Sequence, residues 1–311
     1  MRVVVALGGN ALLERGERPD ATVQRHHVRD AARALAALAA EHEVVLTHGN
    51  GPQVGMLAIE SEADPALTMP YPLDALVAQT QGMIGYWLAQ ELRNVGVARP
   101  IACLITQTLV DAADPAFARP SKFVGPTYSH RQAHLLARRH GWAIAEDGDA
   151  WRRVVPSPMP TGVVEAPAIR HLLGGGIVVI CSGGGGVPVA ETDDGQRHGV
   201  DAVVDKDAAT AMLAADLQAD AMLLLTDVPA VMRSFHTAHP EPIPLLDTRT
   251  ARAMSFPAGS MQPKVDACIH FTESTGGVAA IGRLTDAAAV LAGTAGTRIV
   301  AAAHAGAGGA R

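Results

Sequence analysis

Four apolar runs in this chain stop on glycine or on a turn signal: VALGGNAL, VLTHGNGPQVG, VICSGGGGVPV and LLLTDVPAV. They constrain its fold more than any other feature. Runs that stay apolar without alternating suit strands buried on both faces, as in a parallel sheet covered by helices. Strand patterns at 3–7, 44–47, 101–106, 177–182, 222–226 and 278–281 alternate with helical patterns at 23–41, from 52, at 74–94, 206–217 and 261–275. A last helix and strand follow. This order predicts an α/β fold with a mainly parallel sheet. In such sheets ligands bind at the carboxyl ends of the strands. Glycine there lets the backbone approach a ligand, and the N–H groups of a following helix favour an anion. In GNGP, Pro52 suits the first helical position, with Asn50 or Gly51 as cap.

The rest of the composition mainly excludes. A formal net charge of -6, with basic residues scattered, gives no electrostatic reason to expect nucleic acid or a membrane surface as partner. Cys103, Cys181 and Cys268 lie far apart without CxxC spacing, which argues against disulfides or zinc and fits a reducing cytoplasm. The 13 histidines show no metal-ligand spacing. The apolar run before Gly8 is too short for a signal peptide core or a membrane span, and the Gly-rich stretch 301–311 reads as a flexible tail. No Gly-Lys dipeptide occurs, so the ordinary P-loop is absent. Gly49, Gly51 and Gly55 imitate a dinucleotide turn, but no acidic residue closes the following strand as a ribose site would need.

Lysine is scarce. Of 25 basic side chains only Lys122, Lys206 and Lys264 are lysines. Arg is a wide planar fork; Lys is a compact charge on a flexible stem that can follow a moving phosphoryl group. Lys206, with Asp207, opens a helix in VVDKDAATAM, Lys264 follows Pro263 near a helix start, and Lys122 opens an irregular stretch reaching to about residue 160. All three fall at loop-to-helix junctions beside the glycine clusters or at the edge of that stretch. The placement suits phosphoryl transfer, which is catalysed mainly by positioning and charge neutralisation. The stretch 122–160 reads as a small protruding subdomain with a minor core of Tyr128, Leu135, Leu136, Trp142, Ile144 and Trp151.

Taken together, ALGGNALL, THGNGPQVG, YPLDALVAQTQGMIGYWLAQ, ITQTLVDAADPAFARPSKFVGPTY, RRVVPSPMP, GGGGVPV, AVVDKDAA, LLLTDV and GSMQPKV resemble, in order, the carbamate kinases of the amino-acid kinase superfamily. The resemblance implies an open αβα sandwich with a mainly parallel central sheet and a small protruding subdomain, and a homodimer. It implies an N-terminal lobe, 1–160 including the subdomain, for carbamate or carbamoyl phosphate, and a C-terminal lobe, 161–300, for ADP or ATP. Carried over by position, Gly8, Gly9, Asn10, Gly49, Asn50 and Gly51 cradle the substrate. Lys206 and Lys264 neutralise the phosphoryl group in flight, with Asp207 orienting the lysines, and Lys122 approaches from a subdomain that the resemblance implies to be mobile. Gly183, Gly184, Gly185, Gly186, Thr226, Asp227, Val228, Ser260 and Met261 surround the nucleotide. Mg2+ would be held mostly by nucleotide phosphates and water. Resembling enzymes often serve arginine metabolism.

Sister kinases carry a lysine on the first strand where this chain has Ala6, a charge that Lys122 is placed to supply. Phe123, Met159 and Met232 depart from the family pattern. The competing expectations are a noncatalytic sensor of ATP or carbamoyl phosphate, another phosphotransferase of the superfamily, and an NAD(P) oxidoreductase.

Overall fold

The structure is a computed structural model, which describes residues 1–9, 12–14, 16–234, 240–257 and 260–302. Its centre is an eight-stranded sheet of β1 (Arg2–Leu7), β2 (Glu43–His48), β3 (Ile101–Cys103), β4 (Val178–Ile180), β5 (Ala221–Thr226), β6 (Leu245–Asp247), β7 (Val278–Arg283) and β8 (Thr297–Val300). The spatial order is β6-β8-β7-β5-β1-β2-β4-β3. Neighbours run parallel except β7 with β8. The helices are α1 (Ala21–Glu41), α2 (Gly51–Ala63), α3 (Leu73–Asn94), α4 (His130–His140), α5 (Ala166–Gly174), α6 (Lys206–Asp216), α7 (Thr248–Ala253), α8 (Met261–Thr275) and α9 (Ala287–Ala292).

The alternation of side chains across a strand builds two cores from one sheet. Val3, Val5 and Leu7 of β1 pack with Val28 and Leu35 of α1, Leu88 of α3 and Val290 of α9. Val4 and Ala6 face the other way, towards Ile169 of α5, Leu213 of α6 and Phe271 of α8. The result is the expected αβα sandwich. Because β4 lies between β2 and β3, this one sheet runs through both lobes read from the sequence.

Two expectations need correction. The run 101–106 is not one strand, since β3 ends at Cys103. There the side chain of Gln81 captures the backbone of Thr106, accepting its N–H at 3.1 Å and donating to its carbonyl at 3.0 Å. The chain is thereby turned into a second, four-stranded sheet of Arg197–Gly199, Val187–Glu191, Gln107–Val110 and Pro160–Val163, which the sequence reading missed. The subdomain core also differs from expectation. Three antiparallel strands, Lys122–Tyr128, Ala150–Val155 and Ala143–Asp147, carry α4. The buried residues are Val124, Ala133, Val154 and Val155, while Leu135 is 67% exposed. One short helix on three strands is too thin a layer to bury large rings. Tyr128, Trp142 and Trp151 therefore stay half-buried and pack against one another or against His130, His134 and His140.

The subdomain rests on α2. A Cβ placed on Gly55 would stand 2.0 Å from the Cα of Gly125, so the two backbones touch where only glycine fits. That contact accounts for the last glycine of the apparent dinucleotide turn. Farther along α2, Glu62 accepts hydrogen bonds from Trp142 Nε1 at 3.1 Å and Arg153 at 3.3 Å.

Candidate active site

The carboxyl ends of β1 and β2, the starts of α2, α6 and α8 and the first residues of the subdomain enclose a cleft of about 190 Å³. Gly9, Gly49, Asn50 and Gly51 line one side. Lys206, Asp207, Ser260 and Lys264 line the other, and Lys122, Phe123 and Val124 close it from the subdomain. Asn50 is held from beneath: its Nδ2 donates to Thr80 Oγ1 at 2.8 Å, and that hydroxyl donates to the carbonyl of Val77.

Not every expected residue reaches the cleft. Of the GGGG turn, Gly184 lines it, at φ 65° and against Asn50, where a Cβ would lie 2.1 Å from Nδ2. Gly183, Gly185 and Gly186 are buried behind it, against His48, Val204 and Thr108. Gly8 donates its N–H to the carbonyl of Leu225 at 2.8 Å and so lies beside the end of β5, where Thr226 bonds Asp227 Oδ1 at 2.9 Å. Thr226, Asp227, Val228 and Met261 are outside the cleft lining. Asn10 and residues 303–311 lie outside the described residues. Of the departures, Phe123 carries the guanidinium of Arg152 over its ring at 5.5 Å. Met159 is 65% exposed, and Met232 begins a two-residue strand pairing with Glu241–Pro242.

All three lysines meet carboxylates at one helix start. Asp207 binds Lys206 through one oxygen and Lys264 through the other, the latter at 3.0 Å. Lys122 pairs with Asp205, a residue the sequence reading passed over. Its signal was present as the Asp that precedes KDAA, since Asp favours the N-cap position. Asp205 does cap α6, accepting from the N–H groups of Asp207 and Ala208 at 2.9 and 3.1 Å. Lys206 occupies the first position of that helix, where the helix dipole disfavours a cation. A buried cation set against the local dipole is explained by an anionic ligand better than by stability.

Burial alone would raise the pKa of Asp207, but Lys206 and Lys264 outweigh it and hold the carboxyl well below the ordinary range. For Lys206 burial wins, lowering its pKa against the pull of Asp207, whereas Asp207 overcomes burial at Lys264 and raises it. Asp205 is lowered because Lys122 outweighs its burial. Three ammonium groups against two carboxylates leave one formal positive charge facing the glycine turns. Such a cleft can gather an oxyanion and neutralise charge as it moves between two oxygens. Among the described residues no group of three or more His, Cys, Asp or Glu is arranged to hold a metal, and no helix is long and apolar enough to cross a membrane.

The profile of the amino acid kinase family matches residues 1–282. A carbamate kinase of Rhizobium meliloti (strain 1021) is 49% identical over 96% of this chain and 93% of its own length. One from Haemophilus influenzae is 45% identical over 96% of both chains. Among solved structures, the carbamate kinase from Giardia lamblia bound to AMP-PNP superposes with a TM-score of 0.87 at 38% identity, covering 97% of this chain and 98% of its own.

Proposed function

The chain belongs to the amino acid kinase family, and from that premise we propose that it is a carbamate kinase, transferring a phosphoryl group between carbamoyl phosphate and ADP to give carbamate and ATP. The observation that carries this reading is the convergence of Lys122, Lys206 and Lys264 on Asp205 and Asp207 opposite the glycine turns of β1 and β2. The Giardia relative, with AMP-PNP bound, supports a nucleotide as the second substrate.

Lys206 and Lys264 neutralise the transferring phosphoryl oxygens, and Asp207 fixes both ammonium groups by holding one on each of its oxygens. The backbone of Gly9, Gly49 and Gly51 supports carbamate or carbamoyl phosphate. Lys122 supplies from the subdomain the charge that Ala6 does not. Both carboxylates of the cleft are committed to lysines, so Mg2+ enters as part of the nucleotide substrate, on its phosphates and water. Gly183, Gly185, Gly186, Thr226, Asp227, Val228, Ser260 and Met261 shape the nucleotide side, most of them from behind the cleft wall. The reading carries a homodimer, and the free state of Cys103, Cys181 and Cys268 suits a reducing cytoplasm.

The test is to incubate the protein with ADP, Mg2+ and carbamoyl phosphate and to follow ATP. Formation of ATP, without phosphorylation of acetylglutamate, aspartate or UMP, is the expected result. Turnover of any of those three with none of carbamoyl phosphate would overturn the reading, and binding without turnover would make the protein a sensor.

A further inference from the structure

We propose that Asp205 is a positioning residue that ties Lys122 of the subdomain to the first turn of α6, so that this charge stands ready over the cleft before substrate arrives. The inference rests on the reading that phosphoryl transfer occurs in this cleft. Asp205 uses its two oxygens for different purposes. Oδ1 caps α6 through the N–H groups of Asp207 and Ala208, and Oδ2 pairs with Lys122 Nζ. A cap needs only one neutral acceptor, which Ser, Thr or Asn would provide. The second, charged oxygen answers to something else, and what it touches is the lysine at the mouth of the cleft.

The surrounding backbone makes the same junction. Val203, two residues before Asp205, donates its N–H to the carbonyl of Pro156 at 3.0 Å, and Ser121 donates to the carbonyl of Val155 at 3.1 Å. The segment by which the chain leaves the subdomain is therefore stitched to the stretch that starts α6, and the entering segment is stitched to the leaving one. Lys122 is 35% exposed and Asp205 23%, so the pair lies where an incoming anion can reach it. A lysine left free there would sample many rotamers, and a misplacement of about 1 Å in a positioning group can cost orders of magnitude in rate. Asp205 narrows that search and couples it to the helix that carries Lys206 and Asp207.

Asp205→Asn separates the two duties, because Asn is as good a cap as Asp but presents an amide to the ammonium. With ADP, Mg2+ and carbamoyl phosphate, the variant should lose about tenfold in kcat with little change in Tm. In a Lys122→Ala background the same substitution should cost less than about twofold, because the group it acts through is gone. Hydrogen exchange on the full chain without substrates gives a second readout. Amides at 121–124 should exchange faster in Asp205→Asn, while those of the first turn of α6 stay protected. Equal losses in both backgrounds, unchanged turnover, or unchanged exchange at 121–124 would overturn the proposal. A parent that makes no ATP while its exchange responds to Asp205→Asn would instead refute the phosphoryl-transfer reading and leave the tether standing.

Discussion

Lys206 and Lys264 stand on the sandwich, at the first turns of α6 and α8, whereas Lys122 stands on the first residue of the subdomain. The first two share one buried carboxylate and are only 12% and 16% exposed; the third is 35% exposed and pairs with a different carboxylate, Asp205. The residue type is the same and the support is not. Two ammonium groups are clamped on Asp207, and their helices pack on the same sheet that carries the glycine turns. The third rides on a thin layer joined to the body at a seam and at the seat on α2. The cleft thus combines a fixed pair of charges, carried by the sandwich, with one carried by the subdomain.

The sharpest way to break this comparison is to alter the fixed pair. Lys206→Arg and Lys264→Arg keep the charge but replace a compact ammonium with a wide planar fork, in sites where Asp207 has an oxygen committed to each. Each should lower kcat by about a hundredfold or more, comparable to removing one preorganised donor to a developing charge, and ADP binding should fall less. Steady-state kinetics with thermal melts as control will decide. Retention of activity within a few fold would mean that Lys was not required there.

Lys122→Ala should come next, with a loss of about tenfold to a hundredfold in kcat and a Tm close to that of the parent. The residue is partly exposed and its pair is one of several attachments of the subdomain, so folding does not depend on it. A large fall in Tm with normal turnover in the folded fraction would make Lys122 structural. Gly55→Ala tests the support instead of the charge. Its Cβ would stand 2.0 Å from the Cα and 2.2 Å from the N of Gly125, both backbone atoms, so the subdomain must lift off α2. A loss of about fivefold in kcat is expected, by misplacing Lys122 rather than removing it. Proteolysis within 122–160 should accelerate, and an unchanged cleavage rate would show that the seat accommodates the methyl group.

The two halves of the comparison were not equally legible in the sequence. The sandwich was, because fully buried parallel strands write themselves as unbroken apolar runs and their ends as glycines. The lysines of the fixed pair were found by their rarity and their place at helix starts. Asp205 was missed because an N-cap Asp carries the same signal whether or not its second oxygen has a task. The second sheet was missed because its direction is set by Gln81 reaching Thr106, a contact between residues 25 apart that no local pattern records. The subdomain core was overestimated for a related reason. Aromatic content predicts which residues seek burial, but thickness decides how many obtain it.

The smallest effect at neutral pH concerns His48, which ends β2 beside the fixed pair and is buried with Nδ1 3.0 Å from the carbonyl of Gly49. Burial, assisted by Lys206 and opposed by the bond to Gly49, pushes its pKa from the usual 6.5 down to about 4. The folded chain therefore keeps the imidazole neutral, with Nδ1–H donating to Gly49, while the unfolded chain takes up a proton once the pH falls below 6.5. Above that value both states are neutral and the group contributes no pH dependence. Between 6.5 and 4 the unfolded state binds more protons, so stability falls as the pH falls. From pH 7 to pH 5 the loss due to this group is about 2 kcal/mol. Urea unfolding of the parent and of His48→Gln at both pH values isolates it, because other titrating groups are common to the two proteins. Their stability difference should shift by that amount in favour of the variant at pH 5. A constant difference would mean that the fixed half of the cleft admits a proton as readily as the unfolded chain, and that its rigidity beside Lys206 is less than the burial of Asp207 implies.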